Sequence, residues 1–313
     1  MGGWGDGNWA GMVTGRRRVG LAAGAILVGL ALAIMVAPAY QRSHSPSAVS
    51  GTILGPDAVH LLRTDPICFS PAVPGGFQIP PEDLARILRQ VEPQGRDMTA
   101  SVCLHVLAVH GLEATFRHER LTSGREILRL FTDDASGKAY FGSPAMVCTR
   151  YGIRPAIHGA SGASQEWHYD QTLGCLAGLG IPLSLPIRIG GAEYCLREAL
   201  RDSLASFELR QGELEWTVVA YASYLPPYRS WVNKFGEPCS FDDLTEALLG
   251  RDFTKGSCSG CHIVEAMIKL LRVNREVAEV LSPEVSARLA ARLGEVVRVV
   301  LSRQEADGSW GPD

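Results

Sequence analysis

The chain has 313 residues, is 46% hydrophobic and 20% charged, and carries a formal net charge of −3, so it is long enough for one large or two small domains with a sizeable core. That composition excludes a disordered polar chain and a multi-span membrane protein. With the arginines at 16–18 set aside the remainder is more acidic still, which excludes the basic footprint of a nucleic-acid binder and leaves a protein or small-molecule partner.

The first element is apolar. Val19 to Val36 carries no charge and follows Arg16, Arg17 and Arg18; a bilayer is spanned by about 20 such residues. By the positive-inside rule residues 1–18 are cytoplasmic, 19–37 form a single transmembrane helix, and everything beyond lies outside the cytoplasm. This is the reading of a single-pass cell-membrane protein with an uncleaved signal-anchor, although Ala37-Pro38-Ala39 also has the form of a cleavage site. Residues 38–66 read as a tether, rich in Ser, Gly and Pro between Gln41 and Gly55, and 67–313 as the domain proper.

Pro80-Pro81-Glu82-Asp83 opens a helix to about Gln90, and a second helix runs over 99–110 until Gly111 stops it. His105 and His110 on that helix read as core or edge histidines. The texture then becomes extended: 126–131, the turn signal Asp133-Asp134-Ala-Ser-Gly137 and 138–141 read as a hairpin, with 146–153 as a third extended piece. Helical periodicity resumes over 170–179, 192–207, 213–224, 241–249, 259–273 and 283–304. Val285, Leu289, Leu293, Val296, Val297 and Val300 form one stripe of the last helix, which Ser282-Pro283-Glu284 opens. Ser240, three residues ahead of Asp243, has the form of a capping box. Trp216, Tyr221, Tyr224, Tyr228 and Trp231 cluster around Pro226-Pro227 and read first as aromatic core packing, second as the lining of a ligand pocket.

Gln304-Glu-Ala-Asp307-Gly308-Ser309-Trp310 follows the last helix and resembles the Q-x-x-D-G-S-W signature of the α/α-toroid repeats of terpene cyclases and protein prenyltransferases. His168-Tyr-Asp-Gln171, Leu225-Pro-Pro-Tyr-Arg-Ser-Trp231 and Gly256-Ser-Cys-Ser-Gly-Cys-His262 together resemble a bacterial group of membrane-anchored helical-toroid proteins to which no reaction is assigned. That group has Cys-x-Gly-Thr-His where this chain has Cys258-Ser-Gly260-Cys261-His262. The resemblance covers roughly residues 80–313. With the helical periodicity it implies a mainly α fold: an incomplete α/α-toroid-like domain with a small β insertion, preceded by one transmembrane helix. The chain has no D-x-D-D acid motif, so cyclase chemistry is not implied.

Cys258-Ser-Gly-Cys261-His262 is the one short motif with chemistry in it. As C-x-x-C-H it has the form of a c-type haem attachment site, for which Met146, His158 or His168 would have to supply the distal ligand. As a metal site, Cys258 and His262 share a helix face, and His168 or Asp170 is the partner that would complete a zinc shell. The plain alternative is a disulfide or a packed helix start with hydrogen-bonded histidines. Cys103, Cys175 and Cys195 read as small buried hydrophobes. The sequence therefore favours a binding or scaffolding domain over two alternatives, a zinc-dependent toroid enzyme and a haem protein.

Overall fold

The computed structural model describes residues 53–69, 80–90, 92–93, 98–156, 168–253 and 260–304. In chain order the helices are α1 (Pro81–Gln90), α2 (Ala100–His110), α3 (Gly124–Thr132), α4 (Asp134–Phe141), α5 (Gln171–Gly178), α6 (Leu196–Ser206), α7 (Glu215–Tyr224), α8 (Phe241–Leu249), α9 (Cys261–Glu276) and α10 (Pro283–Ser302). The strands are β1 (Met146–Cys148), β2 (Ile153–Pro155), β3 (Pro186–Ile189), β4 (Ala192–Cys195), β5 (Ser230–Val232) and β6 (Pro238–Ser240). They pair consecutively into three antiparallel two-stranded sheets, with Val147 opposite Arg154, Ile187 opposite Tyr194 and Trp231 opposite Cys239.

Four helices build the centre. α5 packs on α2 and on α7, and α7 packs in turn on α9. Every residue of α7 is buried, in keeping with its sequence EWTVVAYASY, which is apolar on all sides but for Glu215 at its start and a few hydroxyls. Gly174 lets α5 approach it: a Cβ there would stand 2.8 Å from the Trp216 carbonyl oxygen. Phe207, Tyr221, Trp231 and Phe241 meet edge to face or tilted at 5.1–5.7 Å, so Tyr221 and Trp231 of the aromatic cluster read from the sequence belong to core packing, while Trp216 lies against the His262 ring.

A local unit recurs. A central helix, a β-hairpin and an outer helix follow one another as α5–β3–β4–α6 and again as α7–β5–β6–α8. Each hairpin delivers the chain into a capping box: Cys195 with Glu198 opens α6, and Ser240 with Asp243 opens α8. α9 and α10 follow without a hairpin, and Ser282 caps α10. Residues 53–66, the latter part of the expected tether, fold against this body. Leu54 is buried and its N–H donates to the Ser230 carbonyl, while Leu183 and Ile67 donate to Thr64 and Ser223.

Three expectations are corrected. Residues 126–141 are two helices, α3 and α4, and no hairpin forms there. Ser123 caps α3 through Glu126 N–H, and Asp133, read as part of a turn, caps α4 through Ser136 N–H. Ile127, Leu130 and Phe131 face the core at helical spacing. In place of one small β insertion in a toroid-like domain, three short sheets are interleaved with the helices. Finally, the fold was expected to begin with a transmembrane signal-anchor, but among the described residues no helix is long and apolar enough to cross a membrane. Residues 19–37 lie outside the described residues, as do 305–310 of the toroid signature.

Candidate functional site

The start of α5 ties three elements together. His168 Nδ1 lies 2.6 Å from Glu213 Oε2, just ahead of α7. Asp170 Oδ2 accepts from Ser203 Oγ of α6 at 2.9 Å and from Thr217 Oγ1 of α7 at 2.6 Å. Gln171, fully buried, donates through Nε2 to Ser101 Oγ of α2 at 3.0 Å. Asp170 stands at the N-cap position of α5 yet caps nothing with its side chain. Its φ of +57° makes it the one non-glycine residue with positive φ among the described residues, a conformation Asp tolerates better than most and that aims this carboxyl inward.

That carboxyl lines a small cavity, of about 70 Å³, between α5, α6 and the β1–β2 hairpin. Asp202, Ser203 and Gln211 share the wall, with Arg154 and Tyr169. Asp202 is only 3% exposed, and its Oδ1 accepts from the Thr149 hydroxyl. Burial raises the Asp170 carboxyl above the usual range against the pull of Thr217 and Ser203, and the Asp202 charge adds to the rise. Tyr221 OH, 2.9 Å from Ser203 Oγ, is driven well above its ordinary value, first by burial and then by Asp170. The cavity thus holds two carboxyls, one with a tendency to keep its proton, backed by a hydroxyl chain.

A second cluster lies on the α2–α7–α9 side of the centre. His105 Nε2 and His262 Nε2 are 3.3 Å apart. His105 Nδ1 is 2.7 Å from the Ser101 carbonyl oxygen and His262 Nδ1 is 3.2 Å from Glu265 Oε2. The Trp216 ring lies 4.2 Å from the His262 ring, centre to centre. Gly260 begins α9 at φ +78°, and a Cβ there would collide with the Phe253 carbonyl, so the Gly of the Cys-Ser-Gly-Cys-His run is set by backbone crowding.

The residues expected to act together are thereby distributed. His168 belongs to Glu213, Asp170 to the cavity, and His262 to His105; Cys258 and His158 lie outside the described residues. Met146 lines the cavity. Among the described residues no group of three or more His, Cys, Asp and Glu is placed to hold a metal ion, and no two cysteines are joined. A haem does not fit the residues as placed, because its iron needs the Nε2 of His262 and a cleared ring face, and His105 and Trp216 stand there. The reading of the sequence missed Asp202, Ser203, Thr217 and His105. A signal existed for Ser203, a polar residue on the stripe of Leu196, Ala199 and Leu200 that α6 buries. Compared with protein-family models, with curated proteins and with solved structures, the chain matches none.

Proposed function

We propose that this domain binds a small polar ligand carrying a protonated amine in the cavity between α5 and α6. The observation that carries the reading is the placement of Asp170 and Asp202 on the wall of one cavity of about 70 Å³. Asp170 accepts from Ser203 and Thr217 and Asp202 from Thr149, and an ammonium group in the cavity would add three donors and a further positive charge beside Arg154, which shares the wall. A concave site with a few convergent polar groups is the usual form of a small-molecule site. At roughly 10–15 Å³ per enclosed water, about 70 Å³ is room for about five to seven water-sized positions, which suits a small polar ligand and excludes a bulky one.

The test is thermal unfolding of the purified chain with methylammonium or with uncharged acetamide, in the wild type and in Asp202→Asn. Methylammonium should raise the wild-type Tm and leave Asp202→Asn unmoved, since a ligand at 100 times its Kd stabilises by about 2.7 kcal/mol. An equal rise with acetamide, or an undiminished rise in Asp202→Asn, would overturn the proposal.

A further inference from the structure

The wall of the cavity between α5 and α6 carries charge of both signs, and the two signs lie at different depths. Asp202 is 3% exposed, and Asp170 Oδ2 is held between Ser203 and Thr217, so the acids belong to the closed side. Arg154 is the outward residue of β2, between the buried Ile153 and Pro155, and Tyr169, 48% exposed, stands on the same wall. These two residues form the rim. The acids take their hydrogen bonds from Ser203, Thr217 and Thr149, and among the described residues neither is bonded to Arg154. A guanidinium and two carboxyls therefore line one space without meeting across it.

We propose that the ligand is a small zwitterionic amino acid, its ammonium group toward Asp170 and Asp202 and its carboxylate on the Arg154 guanidinium. The inference rests on the cavity being an amine site and names the rest of the molecule that fills it. A plain ammonium ion gains the acids but brings its charge toward Arg154, and a plain carboxylate gains Arg154 but meets the acids. A molecule with both charges gains at both ends and adds no net charge to the wall. Arginine suits the second role, because its planar fork of N–H donors meets a carboxylate through two parallel hydrogen bonds. Size agrees as well. Room for about five to seven water-sized positions is the size of glycine or alanine and excludes an amino acid with a long or aromatic side chain. Buried Leu173, Leu196 and Phe207 on the same wall give the ligand carbon an apolar side to lie against.

Binding to the purified full chain is measured by calorimetry for methylammonium, acetate, glycine and glycinamide, the last an amine whose carboxylate is replaced by a neutral amide. Glycine should bind the wild type about 10-fold more tightly than methylammonium or glycinamide, the lower end of what a hydrogen bond between charged groups contributes, and acetate should bind weakest. In Arg154→Gln the advantage of glycine should vanish while methylammonium binds at least as well, since a cation has left the rim. Asp202→Asn should weaken both. Far-UV circular dichroism checks that the variants fold, and the comparison of the four compounds in the wild type stands without them. Glycine no tighter than methylammonium, or an advantage that survives Arg154→Gln, would overturn the inference and leave the amine site standing. A chain that binds neither compound, or glycine binding that ignores Asp202→Asn, would overturn the amine site and the inference with it.

Discussion

Replacing Gly174 by Ala sets two effects of opposite sign against each other. In a helix interior the substitution gains about 1 kcal/mol from propensity alone. Gly294, inside α10, shows that effect undisturbed, because nothing lies within 4 Å of a Cβ added there. At Gly174 the added Cβ would stand 2.8 Å from the Trp216 carbonyl oxygen and 3.1 Å from Trp216 Cε3. The first of these atoms is backbone in a fully buried helix and cannot swing aside, so α5 must move off α7. Overpacking of this kind costs about 1–3 kcal/mol. Gly174→Ala should therefore be neutral to destabilising by about 2 kcal/mol, whereas Gly294→Ala stabilises by about 1 kcal/mol. Urea denaturation followed by circular dichroism measures both, as a shift of the midpoint at constant slope. Tryptophan fluorescence gives a second readout, since the displaced α5 packs against the Trp216 ring of α7. A Gly174→Ala chain as stabilised as Gly294→Ala would refute the close α5–α7 contact on which the α5 hub depends.

Two further predictions concern pH. The folded chain holds the Asp170 proton more tightly than the unfolded chain, so its contribution to stability is present at low pH and declines as pH rises through the elevated folded value. Asp170→Asn keeps the shape and the neutral form, so denaturation midpoints from pH 4 upward should show the variant gaining on the wild type; a constant difference would contradict the assignment. Lys269 on α9 donates to the Ile67 carbonyl and lies 5.0 Å from the Phe69 ring, with Arg272 at 4.1 Å from the same ring. Burial lowers its amine to about 8, against the raising influence of Cys68 and Glu265, while Arg272 and Arg63 lower it further. The unfolded chain then holds that proton more tightly, so stability should climb with pH from about 8 to about 10.4. Lys269→Met should flatten the climb, measured as the difference between the two chains at each pH; identical profiles would show that the amine is not desolvated.

The sequence determined the elements that local chemistry alone specifies. α8 begins and ends where its capping box and periodicity place it, and Val285, Leu289, Leu293, Val296 and Val297 of α10 are buried as one stripe. Local signals failed where one chemistry serves two structures. The Asp133 side chain that satisfies a backbone N–H in a turn does the same at a helix N-cap, and only packing of Ile127, Leu130 and Phe131 into the core selects the helices. In the candidate sites, His168, Asp170 and Gln171 were visible as a polar run, but their partners were not. Glu213, Ser203, Thr217, Ser101 and His105 lie between 33 and 70 positions away, and His262 meets His105 across 157. No spacing along the chain encodes such pairs. They exist because α7 is buried on every side and draws α5 and α9 against it, and the polar groups on those helices, shut away from water, must find one another.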